Sequence, residues 1–288
     1  MRFTKMQGAG NDFVLVAPDD EAQCNWSKWS ITICDRHFGI GADGLLLLLP
    51  SDIADFRMRT FNSDGSEAEA CGNGIRCLAK YIIDKGLNNS ADSISIETLG
   101  GTREVKLRRQ AGKLIRIQTS MGKPEFRADY IPVTLGQDEN GLVDIKSMLN
   151  YSVNIDGTDL CLNLVSMGNP HAVFFWDRPV AVFPLSELGP KVENMNIFPR
   201  RTNFEVARVI NRQRIEVRTW ERGVGETLAC GSGACAVAVA AQLNDYIDNK
   251  ADVQVTGGVL QVEWDRNNEV LLSGPVEIVF EGEWPDEV

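Results

Sequence analysis

The chain has 288 residues, 43% hydrophobic and 24% charged, which excludes disordered, collagen-like and coiled-coil classes and allows one large or two medium domains. Twenty-nine basic against forty acidic residues leave a formal charge of −11, so negative a surface that small molecules or other proteins are the expected partners, not nucleic acid or anionic membrane. Met1 leads into Arg2-Phe3-Thr4-Lys5 with no apolar signal core, and the Leu run from Leu45 to Leu49 is too short to cross a bilayer. Seven cysteines, an odd number at positions 24, 34, 71, 77, 161, 230 and 235, read as free thiols in a reducing cytoplasm.

In chain order, β-branched or alternating runs bounded by Gly, Pro, Asn and Asp predict strands at Phe13 to Val16, Gly44 to Leu49, Ile94 to Glu97 and Leu114 to Gln118. Further strands are predicted at Val173 to Trp176, Ile215 to Trp220, Val259 to Trp264 and Val276 to Phe280. Helical periodicity is scarcer. It predicts helices over Gly74 to Lys85, stopped by Gly86, and over Ser232 to Tyr246, with fainter patterns at Trp26 to Phe38 and Ile145 to Leu149. Many strands around two long apolar helices indicate an α+β protein rather than a βαβ series.

A repeat lies within this pattern. At a constant offset of 159 residues, Arg59, Thr60, Glu67, Ala70, Cys71, Gly72 and Gly74 match Arg218, Thr219, Glu226, Ala229, Cys230, Gly231 and Gly233. Gly10-Asn11 before one apolar run is echoed by Gly168-Asn169 before another, at an offset of 158. The expectation is two similar domains related by a pseudo-twofold, each strand-rich and built round one apolar helix. The boundary is expected near Met121-Gly122-Lys123-Pro124, and the strand after Ser273-Gly274-Pro275 can belong to either domain.

Both repeats end in C-G-x-G running into a helix. Successive N–H groups at the positive end of a helix dipole make a cradle for a carboxylate, and the same setting lowers a cysteine pKa from ~8.5 toward ~3.5 to 7.5. Two such thiols on opposite faces of one α-carbon are what inversion of a stereocentre needs, one removing the proton and the other delivering one from the far side. The developing enolate would be spread over both helix ends without a cofactor. Cys24, Cys34 and Cys161, and the helical Cys77 and Cys235, read instead as small core hydrophobes.

The spacing from Cys71 to Cys77 does not suit zinc. Gly39-Ile40-Gly41-Ala42-Asp43-Gly44 matches G-x-G-x-x-G, but a Leu run follows where a dinucleotide fold needs a helix. Of the two histidines, His37 reads as a helix-end residue, whereas His171, at a turn into a strand, suits a thiol-activating base. Glu221 lies nine residues before Cys230, as Asn62 lies nine before Cys71, which places both on comparable strand-end loops.

These segments resemble the diaminopimelate epimerase family: Gly8-Ala9-Gly10-Asn11-Asp12-Phe13, the stretch from Phe61 through Cys77, G-N-P-H at 168 to 171, and E-R-G-V-G-E-T-L-A-C-G-S-G-A-C at 221 to 235. The resemblance implies two pseudo-symmetric domains, each a mixed β-sheet wrapped around a central α-helix. The last strand then returns to the first domain, giving 1–120 plus 275–288 with Cys71, and 121–274 with Cys230. It implies interconversion of LL- and meso-2,6-diaminopimelate without pyridoxal phosphate or any other cofactor, in lysine and cell-wall precursor synthesis, by a cytoplasmic homodimer. By motif, Cys71 and Cys230 are the acid/base thiols, supported by His171 and Glu221. Gly72-Asn73 and Gly231-Ser232 hold the reacting carboxylate, and Asn11, Asn62, Asn169, Asn203 and Arg222 hold the rest, Arg222 forking onto the distal carboxylate. Two departures stand out: Gln7 where many relatives have His, and Gly44 where some have a substrate-contacting Gln. The alternatives are a proline or hydroxyproline racemase of the same fold, a thiol redox sensor and a non-catalytic amino-acid binder.

Overall fold

A computed structural model describes residues 1–285 apart from 20, 22–23, 70, 89–91, 111–112 and 134–147. Residues 145–147 of the faint helical pattern at Ile145 to Leu149 therefore lie outside the described residues. The chain forms two compact units, Met1–Ser120 with Ser273–Val288, and Met121–Leu272.

The first unit opens with β1 (Arg2–Gly8) and β2 (Asn11–Val16), joined by Ala9 and Gly10, whose φ values of 55° and 84° make the tight turn that an antiparallel hairpin favours. There follow α1 (Trp26–Cys34), β3 (Gly44–Leu49), β4 (Phe56–Asn62), β5 (Glu67–Ala68), α2 (Gly72–Asp84), β6 (Ser93–Thr98), β7 (Gly101–Gln110) and β8 (Lys113–Ser120). The second unit carries β9 (Tyr151–Ile155), β10 (Thr158–Ser166), β11 (Pro170–Phe175), α3 (Leu185–Glu193), β12 (Asn203–Asn211), β13 (Arg214–Glu221), β14 (Gly225–Thr227), α4 (Gly231–Leu243), β15 (Lys250–Val255) and β16 (Gly258–Glu263). After β17 (Leu271–Ser273), β18 (Glu277–Glu283) pairs antiparallel with β1 of the first unit. The protein is α+β, a mixed sheet with few helices.

The two units repeat one connectivity. In the first, β1–β2 is antiparallel, β2–β3 parallel, β3–β4 and β4–β5 antiparallel, β4–β6 parallel and β6–β7 antiparallel. In the second, β10–β11, β11–β12, β12–β13, β13–β14, β13–β15 and β15–β16 follow with the same senses. Register is kept as well: Leu46 faces Thr60 and Glu205 faces Thr219, again 159 residues apart.

The central helices differ as their sequences do. In α2, Ile75, Leu78, Ala79 and Ile82 enter a core with Leu15, Leu46, Met58, Ile94 and Val105; Asn73 through Ala79 are buried on every side, and only the last turn, with Asp84, keeps an outward face. In α4, apolar on every side, all residues from Gly231 to Gln242 except Ser232 are buried. Both helices end alike. Gly86 N bonds to Ile83 O and Leu87 N to Ile82 O; Asp245 N bonds to Gln242 O and Tyr246 N to Ala241 O, with Gly86 and Asp245 at φ of 66° and 57°. This reversal stops α4 at Leu243, short of the Tyr246 expected from its Ala and Val content.

Helix α3 has no counterpart among the elements predicted from sequence. Gly189-Pro190 reads as a breaker, but Leu185, Leu188 and Val192 bury against Phe183, Phe204 and Val206, and that burial overrides propensity. Gly189 is required there, since a Cβ would stand 2.6 Å from the Trp220 ring.

Candidate active site

In each unit a hairpin delivers a cysteine to the start of the central helix. Arg59 holds Glu67 through Nε and Nη2 at 2.7 and 2.8 Å, tying β4 to β5. Arg218 holds Glu226 through the same atoms at the same two distances, tying β13 to β14. Such bidentate pairs fix geometry as well as charge. Cys71 then caps α2 and Cys230 caps α4: both are in extended conformation, and Gly74 N and Gly233 N each donate to the capping Sγ over 3.4 Å.

Around Cys71 the neighbours are amides. Its thiol donates to Asn11 Oδ1 at 3.8 Å, and the same oxygen accepts from Asn73 Nδ2 at 3.1 Å. Asn11 Nδ2 donates to Asp43 Oδ2 at 2.7 Å, which fixes the amide's orientation. Asn73 is buried, and its Oδ1 accepts from Nη2 of the fully buried Arg76 at 2.6 Å; Arg76 Nη1 also reaches Gly72 O. Asp12 anchors the Asn11 side through Lys5 at 2.6 Å and Arg36 at 2.7 Å. Burial pushes the Asp12 carboxyl up, but the bonds from Arg36 and Lys5 outweigh it and bring it down to about 2.

Asn62 sits apart, exposed at the hairpin tip with Nδ2 on Ser66 Oγ. Gln7 pins the first turn, accepting from Gly10 N at 2.9 Å and donating to Glu277. Gly44 has a steric reason: a Cβ there would stand 2.7 Å from the Phe61 carbonyl oxygen.

Around Cys230 the neighbours are ionisable. His171 is fully buried on β11, with Nδ1 2.8 Å from Glu205 Oε1 and Nε2 2.9 Å from Asn169 Oδ1. Glu221, at the end of β13, accepts from Thr227 Oγ1 at 2.5 Å, and its carboxylate acts on the nearby Cys230 thiol. Ser232 Oγ lies 3.4 Å from Cys230 Sγ. Asn203 is buried, donating to Pro170 O and accepting from Arg222 N, both at 2.9 Å. The Arg222 side chain is exposed, with Nη1 on Arg200 O at 3.1 Å. The turn carrying it is held from α3, where Glu193 accepts from Gly223 N and Trp220 Nε1.

Two sequence expectations are corrected here. A cysteine at a helix N-terminus was expected to ionise readily, yet the Cys230 thiol is pushed well above its ordinary value, first by burial and then by the nearby Glu221 and Glu205 carboxylates, which together outweigh the bonds from Ser232 and Gly233. Burial likewise pushes Glu221 up. Cys161, read as a core hydrophobe, is exposed on β10 with its thiol on Asn150 Oδ1 at 3.6 Å. Cys34 and Cys77 are buried, and burial pushes each up to about 12; Cys235 is buried and Cys24 half-buried. Glu205 escaped the sequence reading, although a carboxylate inside the apolar run Phe204-Glu205-Val206-Ala207, where its repeat partner is Leu46, was the available signal.

Among the described residues no group of three or more His, Cys, Asp and Glu side chains is arranged to hold a metal ion, and no helix is long and apolar enough to cross a membrane.

Known proteins align with this chain over nearly all its length. The family described as diaminopimelate epimerase matches residues 3–127 and 163–279. A diaminopimelate epimerase of Acetivibrio thermocellus is 48% identical over 284 residues, covering 98% of each chain. One of Methanococcus maripaludis is 45% identical over 286 residues, covering 98% of this chain and 99% of its own. Among solved structures, a hydroxyproline epimerase from Agrobacterium vitis with bound trans-4-OH-L-proline superposes with a TM-score of 0.67 at 12% identity, covering 98% of this chain and 91% of its own. A Bacillus anthracis protein of the PhzF family superposes with a TM-score of 0.66 at 17% identity, covering 99% of each. At such identities the two structures speak for the fold alone.

Proposed function

Because the chain belongs to the diaminopimelate epimerase family and is therefore an epimerase, an isomerase acting on an amino acid, we propose that it interconverts LL- and meso-2,6-diaminopimelate through a proton transfer shared by Cys71 and Cys230. Each unit then serves as one epimerase half carrying one thiol. The reading needs no pyridoxal phosphate or metal, and it belongs to lysine and peptidoglycan precursor synthesis in the cytoplasm. The observation that carries it is the duplicated N-cap cysteine, with Gly74 N and Gly233 N on the two sulfurs at the same 3.4 Å.

The chemistry follows from that duplication. One thiolate takes the α-proton as the C–H bond breaks, and the electron pair moves into the substrate carboxylate. The resulting charge is met by the first-turn N–H groups of Gly72-Asn73 and Gly231-Ser232. The other thiol gives its proton to the opposite face, so thiol and thiolate exchange places and the stereocentre is inverted. Burial and the carboxylates around Cys230 favour its protonated form, which suits it to be the donor in the direction where Cys71 abstracts. His171 and Glu221 modulate that proton; Asn11, Asn62, Asn169 and Asn203 orient the substrate, and Arg222 takes its distal carboxylate as a planar fork.

The test is deuterium wash-in from D2O into the α-carbon of LL-diaminopimelate, followed by mass spectrometry and chiral analysis. Incorporation with appearance of the meso isomer is expected, with none into L-proline or trans-4-hydroxy-L-proline. Incorporation into the proline substrates but not into diaminopimelate would transfer the chain to the racemase reading.

A further inference from the structure

Glu205 is the third residue of β12, with Phe204 and Val206 on either side, and it is fully buried. Its Oε1 lies 2.8 Å from His171 Nδ1 on the adjacent parallel strand, while its Oε2 is buried with no hydrogen-bond partner. The same Oε1 stands 2.6 Å from where a Cβ on Gly233 would be, so the carboxylate reaches under the first turn of α4, beneath the N–H that bonds Cys230. A buried carboxylate with an unpartnered oxygen is costly, and the fold does not demand it. In the first unit the equivalent positions are Leu46 and Phe13, both buried in an apolar core on the same strand pairings. The second unit has thus kept a polar pair where packing alone is satisfied by hydrocarbon.

We propose that Glu205 is a positioning residue of the second thiol site: by accepting from His171 Nδ1 it fixes the imidazole tautomer, and it places a carboxylate beneath the helix end that Cys230 caps. The proposal deepens the two-thiol reading and rests on it for its catalytic part. An ionised carboxylate is acceptor-only, so the proton between the two groups sits on Nδ1, while the Asn169 amide beside Nε2 can turn either its oxygen or its NH2 to the ring and so accommodates Nε2 with or without a proton. The charged groups acting on Cys230 are Glu221 from β13 and Glu205 from β12, while His171 from β11 faces these two carboxylates, paired with Glu205 and acting on Glu221. Removing the Glu205 charge therefore eases ionisation of Cys230 while leaving the Cys71 surroundings untouched.

Two substitutions in the full-length protein separate orientation from charge. Glu205→Gln keeps an acceptor for His171 and removes the charge; Glu205→Leu installs the side chain of the first unit and removes both. Peptide mapping of iodoacetamide labelling against pH, with Cys71 as internal standard, should show the Cys230 profile moved to lower pH in both variants and the Cys71 profile unmoved. Imidazole NMR is readable because His37 and His171 are the only histidines. It should show a slowly exchanging Nδ1–H in the wild type and in Glu205→Gln, lost in Glu205→Leu. With diaminopimelate, kcat should fall by about tenfold or more and KM stay within about twofold. A folded Glu205→Gln protein with wild-type Cys230 labelling and wild-type kcat overturns the proposal. Absence of α-exchange in the wild type would overturn the epimerase reading instead, and the labelling and NMR outcomes would still decide the role of Glu205.

Discussion

Cys71 and Cys230 stand at the same point of two equivalent folds, each delivered by an arginine-stapled hairpin and each accepting from the backbone N–H three residues on. Beneath α2 lie Leu46 and Phe13; beneath α4 lie Glu205 and His171. Opposite the first thiol stands the amide of Asn11, and around the second stand Glu221 and Ser232. Backbone geometry is common to both, because strand register and helix capping fix it. Charge is not, because one side chain per strand decides it. Two similar thiol cradles thus set their sulfurs among different side chains.

The largest effect tests what the two sites share. Cys71→Ala and Cys230→Ala should each lower epimerisation by about 10²-fold to 10⁴-fold or more, since inversion needs a proton carrier on each face, while the serine variants keep a weak remnant. Chiral analysis of product measures this, and full activity in either alanine variant would leave one site without a role.

The exposed guanidinium of Arg222 belongs to the second unit alone, since the matching position in the first is Ser63. Arg222→Lys should raise KM for diaminopimelate by roughly tenfold, with a smaller change in kcat, because a point charge cannot reproduce a bidentate fork. An unchanged KM removes Arg222 from substrate recognition.

Glycines at the third helical position sharpen the contrast through stability. A Cβ at Gly233 meets the Glu205 carboxylate at 2.6 Å, whereas one at Gly74 meets a Leu46 methyl at 3.0 Å. Gly233→Ala should cost about 1–3 kcal/mol, because the buried glutamate is held by His171, and Gly74→Ala should cost less because a leucine rotamer can yield. Denaturant unfolding of the two variants compares them directly.

The smallest effect is a pH dependence of opposite sign in the two sites. Asp12, behind Asn11, is brought down from 3.8 to about 2, so its stabilising contribution is complete above 3.8 and lost as pH falls through about 2. Glu221 is raised above 4.5 by burial, so its contribution is present below that value and lost as pH rises through the folded-state value. Thermal melts should show Asp12→Asn removing part of the acid-side loss and Glu221→Gln part of the loss on the rising side. The same slope in both variants would mean that the two sites are electrostatically alike.

Much of this was legible in the chain. The duplicated C-G-x-G turns located both helix starts, and apolar periodicity found both helices. The Arg59–Glu67 and Arg218–Glu226 staples were already visible as repeat identities. Helix α3 was hidden by Gly189-Pro190, because its stability comes from burial against Phe183 and Phe204 rather than from local propensity. Cys161 was misread because alternation along β10 leaves its face to solvent, and one strand read alone does not tell which face is covered.

The sequence by itself determined the α+β class, the repeat and the pair of N-cap thiols, since periodicity, capping and turn chemistry act over a few residues and are written locally. Only the tertiary structure decided the protonation of Cys230 and the place of Glu205. Those depend on desolvation and on which charges meet across strands 34 residues apart in the chain, where His171 and Glu205 come within 2.8 Å; a carboxylate's effect falls with distance in space and not with separation along the chain.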